Sequence, residues 1–140
     1  MATSAQYATA PTLEVAQVST ANTNRDGTGT TVRVAQGPSV AAASGVGKRI
    51  VGVYIQAVST TTTGMIRFFI STDGGTTKRL IDEVVVNAIT PAAGTPAFSA
   101  TAAALVGLVL TGQVSSLNCE IYASTEKAET FNIVVAGATY

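Results

Sequence analysis

The chain has 140 residues, enough for one domain whose core needs no disulfide or metal to hold it, and its single cysteine, Cys119, cannot close an internal disulfide. Eight basic and eight acidic residues cancel, and charged residues make up only 11% of the sequence, which argues against nucleic acid as a partner because phosphate binding needs clustered Lys and Arg. A surface so poor in charge, rich instead in Ala, Gly, Val, Thr and Ser, suits packing against protein neighbours better than dispersal as a monomer.

Residues 1–12 hold no cationic cluster and no apolar run of signal-peptide length, so they are expected to stay on a protein made in the cytoplasm. Their small polar residues, with Pro11 near the end, predict an extended N-terminal arm, a disordered tail being the alternative. A single domain is expected over residues 13–140. Its first segment, Leu13–Val18, alternates strictly, with Leu13, Val15 and Gln17 on one face and Glu14, Ala16 and Val18 on the other. The run Asn22–Gly29 is dense in residues that accept positive φ or bond their own backbone, which predicts a turn. Thr31–Ala35 then predicts a second strand, paired with the first as a hairpin or lying beside it.

A small-residue loop over 36–47 leads to the strongest strand, Arg49–Val58, in which strict alternation puts Val51, Val53, Ile55 and Ala57 on one face and Ile50, Gly52, Tyr54 and Gln56 on the other. Both faces are apolar, as in a central strand covered on both sides or one with a side against another subunit. Met65–Ser71 and Lys78–Val86 predict a hairpin around Asp73-Gly74-Gly75. The segment Phe98–Leu110 has the alanines of a short helix, although Gly107 and its β-branched neighbours weaken that reading, and Ala97–Leu110 falls short of the roughly 20 residues a membrane helix needs. Asn118–Ala123 and Phe131–Gly137 complete about eight strands, joined by the polar loop Ser124–Thr130. Short strands with turn signals at this spacing predict an all-β, antiparallel β-sandwich or barrel.

The sequence has no histidine, which removes the commonest general base, the commonest metal ligand and every Ser-His or Cys-His pair. Cys119, with no neighbouring cation to make it a thiolate, reads as a buried small hydrophobe. Asp82 and Glu83 are adjacent in a strand, so they point to opposite faces and cannot converge on one bond; they are expected to be solvated or paired with Lys78 or Arg79. Asn22-x-Asn24-x-Asp26-Gly27 matches the first half of a calcium loop, but Arg33 stands where the bidentate Glu belongs and no helices flank it. Gly45-Val46-Gly47-Lys48-Arg49 fails as a phosphate loop, because Arg49 replaces the magnesium-binding hydroxyl and a strand follows. Ser71–Thr77 is similar to the Asp-box turn of β-propeller sialidases, which caps a hairpin through its Asp side chain. No catalytic residue, cofactor or metal site is expected.

Four stretches, Met1–Tyr7, Ser19–Thr30, Thr63–Ile70 and Ala123–Asn132, resemble small virion proteins of tailed bacteriophages, of the capsid cement or decoration type, and the likeness spans nearly the whole chain. It implies a compact, jelly-roll-like sandwich, often trimeric, that sits on the outside of a shell and ties neighbouring major capsid subunits together. A place on the capsid surface of the virion follows, with no nucleic acid and no membrane as partner. Under the same resemblance the arm orders on binding, with Tyr7 as an anchor into a neighbour and Pro11 beside it as a second partner-binding residue. Two other readings stand beside it. A tail-fibre or host-recognition module would want exposed aromatics, and the chain has no Trp and four Tyr. A head-to-tail connector or tail-tube subunit has no composition of its own to separate it.

Overall fold

The computed structural model describes residues 10–38, 47–111 and 118–140. They form strands β1 (Ala10–Val18), β2 (Val32–Gln36), β3 (Gly47–Ala57), β4 (Gly64–Ser71), β5 (Arg79–Val86), β6 (Ser99–Thr101), β7 (Val109–Thr111), β8 (Glu120–Thr125) and β9 (Phe131–Thr139), with a 3-10 turn at Ala103–Leu105. All pairings between these strands are antiparallel. One sheet runs β1-β9-β3-β6, with β7 also on β3; the other runs β2-β8-β4-β5. The expected all-β sandwich is what the chain forms.

Alternation supplies each sheet with one apolar face, and the two faces meet in a single core. Val18, Ile50, Val53, Ile55, Phe131, Ile133 and Val135 come from the first sheet, and Val34, Ile66, Phe68, Val86, Ile121 and Ala123 from the second. The closing strand β9 is hydrogen-bonded on both sides, to β1 from Ala10↔Thr139 to Val18↔Phe131 and to β3 from Lys48↔Thr139 to Ala57↔Phe131. At its first residue the Phe131 ring meets Phe98 edge-on, with centroids 6.3 Å apart.

The structure corrects the sequence reading in three places. β1 and β2 are not a hairpin: β1 pairs with β9 and β2 with β8, in different sheets, because the long connection 19–31 crosses from one layer to the other. In β3 the strict alternation breaks at a bulge between Ile50 and Gly52. One extra residue there switches the phase, so Ile50 joins Val53, Ile55 and Ala57 in the core while Val51 turns outward. The stretch 98–110 is not a helix. It breaks into β6, the 3-10 turn and β7, with Gly107 at φ +93°, and β6 and β7 pair with the two ends of β3. Side chains explain the choice, since Phe98, Ala102, Leu105 and Leu110 all reach the core from an extended chain. In addition, β1 starts at Ala10, so the last residues of the expected arm, Ala10–Thr12, are strand.

Candidate interaction surface

The two sheets differ in what lies on their outer faces. On the second sheet, β4 turns Arg67 and Phe69 away from the core, yet Arg67 is 1% exposed and Phe69 fully buried. The connection 19–31 covers this side. Asn22 donates its backbone N–H to the Thr125 carbonyl at 2.8 Å, and the Asn22 carbonyl accepts from the Arg67 guanidinium at 3.4 Å. Arg25 and Arg67 both donate to the same Glu83 oxygen, each at 2.8 Å, and Glu126 lies 3.7 Å from Arg67. Gly27 has φ +85° and sits so close to β5 that a Cβ there would come within 2.6 Å of the Lys78 carbonyl oxygen, so only glycine fits. Inside the connection, the Asn22 amide donates to the carbonyls of Thr28 and Thr30, and the Asp26 carboxylate accepts from the Thr28 N–H and hydroxyl. The residues of the apparent half calcium loop thus spend their polar groups on holding the loop's own shape.

The Arg25 and Arg67 guanidinium groups hold the Glu83 carboxyl below its ordinary value of 4.5, the Arg25 hydrogen bond contributing most. A carboxylate whose pKa is lowered on folding adds stability that is fully present above its unfolded pKa and lost as pH falls through the folded value. The Tm of the wild-type protein is therefore expected to drop as pH falls below 4.5. Glu83→Gln should lower Tm at neutral pH and converge on the wild type in acid. Parallel melting curves across that range check this, and a constant gap between the two proteins would show that Glu83 does not titrate with the loop.

The outer face of the first sheet is bare. Leu13 and Val15 on β1 are 68% and 66% exposed, and Val51, Tyr54 and Val109 are also exposed. Register sets their side chains in four rows across the strands: Pro11, Ala138, Arg49 and Val109; Leu13, Ala136 and Gly52; Val15, Val134, Tyr54 and Thr101; Gln17, Asn132, Gln56 and Ser99. The Tyr54 ring folds back over Gly52, where a Cβ would stand 2.7 Å from the tyrosine hydroxyl. Arg49 is the one formal charge in these rows, because Glu14 and Lys48 turn the other way and pair with each other, Lys48 being 2% exposed. Glu14 also accepts the Gln36 N–H at 3.1 Å, which ties β1 to β2 of the other sheet.

Of the two partner-binding residues expected from the sequence, Pro11 lies on this bare face, exposed and opposite Ala138. Tyr7 is outside the described residues. The large exposed residues of the face, Leu13, Val15 and Tyr54, were not among the expected partner-binding residues. For Tyr54 the signal was present, since β3 is apolar on both sides and only one side can face the core.

Several polar groups elsewhere hold the fold together. Glu83 pairs with Arg25 and Arg67 and not with Lys78 or Arg79; the Lys78 ammonium instead sits 4.8 Å over the Tyr122 ring. Asp73 accepts from the Thr77 N–H at 2.8 Å and the Ser71 hydroxyl at 2.7 Å, capping the β4–β5 turn in the manner of the Asp-box and holding its carboxyl at about 2, the Thr77 bond contributing most. Cys119 is buried, and burial pushes its thiol up. Among the described residues, no three His, Cys, Asp or Glu side chains gather closely enough to hold a metal ion. No family model and no curated protein matches the chain.

Proposed function

We propose that this chain is a non-catalytic virion structural protein of a tailed bacteriophage, a cement protein that binds the outside of the capsid and stabilises contacts between major capsid subunits. The observation that carries this reading is the asymmetry of the sandwich: on one outer face the chain's own connection covers Arg67 and leaves Val85 exposed on edge strand β5, and the other presents Leu13, Val15, Val51 and Tyr54 to solvent with a single charge. A surface of that kind suits protein contact, since contiguous exposed apolar residues mark interaction sites. The strand order supports a jelly roll. The first strand pairs with the last in one sheet and the second with the next to last in the other, so four antiparallel hairpin-like pairs wrap into two layers. The likeness of Met1–Tyr7, Ser19–Thr30, Thr63–Ile70 and Ala123–Asn132 to phage decoration proteins gives the shell as the partner.

Cement function is tested by adding the purified chain to shells that lack it. Wild-type protein should saturate the shells and raise the temperature at which they rupture. Because Ala10–Thr12 belong to β1, the arm is tested by removing residues 1–9 only, which takes Tyr7 with them. The truncated chain should keep the wild-type Tm and occupy shells at least tenfold more weakly, about 1.4 kcal/mol of binding. Equal occupancy would remove the arm and its Tyr7 anchor from the account, and no effect of either protein on shell rupture would contradict cementing.

A further inference from the structure

We infer that the bare face of the β1-β9-β3 sheet binds a second copy of this chain, face to face about a two-fold axis that passes between the Leu13 and Val15 rows. The face matches itself under that operation. A two-fold across the strands lays Leu13 and the small Ala136 over the partner copy's Val15 and Val134, and brings the two Tyr54 rings, each folded over its own Gly52, together at the axis. The same rotation sends Arg49 to the far end, over the amide row. There the Gln17 amide donates to Asn132 at 2.9 Å and the Gln56 amide to the carbonyls of Ala57 and Phe98, which leaves the Gln17 and Gln56 oxygens as acceptors for a guanidinium. The two Arg49 side chains stay at opposite ends of the pair, so no like charges meet.

Size and charge agree with a second copy. Three strands of about nine residues, with the short β6 and β7 beside them, at about 4.8 Å spacing and about 3.3 Å rise cover roughly 520 Å² per copy, or roughly 1,050 Å² for the pair, at the ~1,000 Å² that a specific interface needs. The chain's eight cationic and eight anionic residues balance, which removes long-range repulsion between copies. A three-fold ring would need two different patches on each subunit, whereas one self-matching patch is the signature of a two-fold contact. The inference deepens the reading of the chain as an assembling subunit, and it is tested on purified protein alone, so that failure to pair and failure to bind shells are separate results.

The experiment is sedimentation equilibrium of the full chain from 1 to 100 µM, read against the 14.1 kDa of one copy. Wild-type protein should sediment at twice that mass. Leu13→Lys and Val15→Lys, both at well-exposed sites, should keep the wild-type circular dichroism and weaken pairing a hundredfold or more. Arg49→Ala, which disturbs no packing in the core, should weaken it about tenfold. A wild-type monomer across the range overturns the inference, as does a trimer. So does a dimer whose affinity is unchanged in Leu13→Lys, Val15→Lys and Arg49→Ala alike.

Discussion

Replacing Arg67 with alanine is expected to lower the unfolding free energy by about 3 kcal/mol, the lower end of the cost of breaking a buried ion pair. Arg67 lies between the second sheet and the 19–31 connection with 2% of its side chain exposed. It donates to Glu83 and to the Asn22 carbonyl, and it lies near Glu126. Alanine removes those bonds and leaves a void under the connection, next to the buried Phe69. Urea unfolding at pH 7 measures the loss. Arg67→Met, which keeps the stem and most of the volume, separates charge from packing. Equal stability of the methionine variant and the wild type would show that the connection is held by packing, since buried pairs replaced by apolar groups of like volume are often neutral.

Phe131→Ala should cost about 3–5 kcal/mol, the range for emptying a buried aromatic site. Phe131 starts β9 and lies across from both Val18 of β1 and Ala57 of β3, so its loss loosens the strand that joins them. Its edge-on contact with Phe98 also anchors the segment leading into β6. Amide exchange should therefore speed up over β6 and β7 more than over β4 and β5. A double-mutant cycle with Phe98→Ala should show a coupling of about 0.5–1.5 kcal/mol, as for other aromatic pairs. Uniform acceleration across both sheets would show that Phe131 holds no local unit.

The strands were legible in the sequence because period-two alternation is a local property. The β4–β5 hairpin was legible for the same reason: Asp73-Gly74-Gly75 fixes its turn, and Asp73 caps it. What was not legible lies beyond local pattern. Ile50 and Val51 exchange faces at a bulge, and the Tyr54 ring that covers Gly52 belongs to the folded sheet alone. Pairing of β1 with β9 joins residues at opposite ends of the chain, and nothing near Leu13 announces Ala136 as its neighbour. The buried charges were hidden too. Arg67 stands across the hairpin from Glu83, which register from the turn could have suggested, but Arg25 reaches Glu83 from 58 residues away. The bare face was half legible. Leu13, Val15 and Gln17 were assigned to one side of their strand, while the side that faces solvent is set by the phase in which Val18 enters the core.

The proposed function requires this sandwich to be covered on its β1-β9-β3 face as part of a virion surface. The proposed place on a phage shell is tested most directly by the chain's copy number and position in purified particles, by quantitative mass spectrometry and cryo-electron microscopy of the same sample. The account predicts hundreds of copies spread over the outside of the shell, with Leu13, Val15 and Tyr54 under protein density. A single ring at the neck, a few copies at the tail tip, or a shell-bound chain whose β1-β9-β3 face lies open to solvent would contradict it.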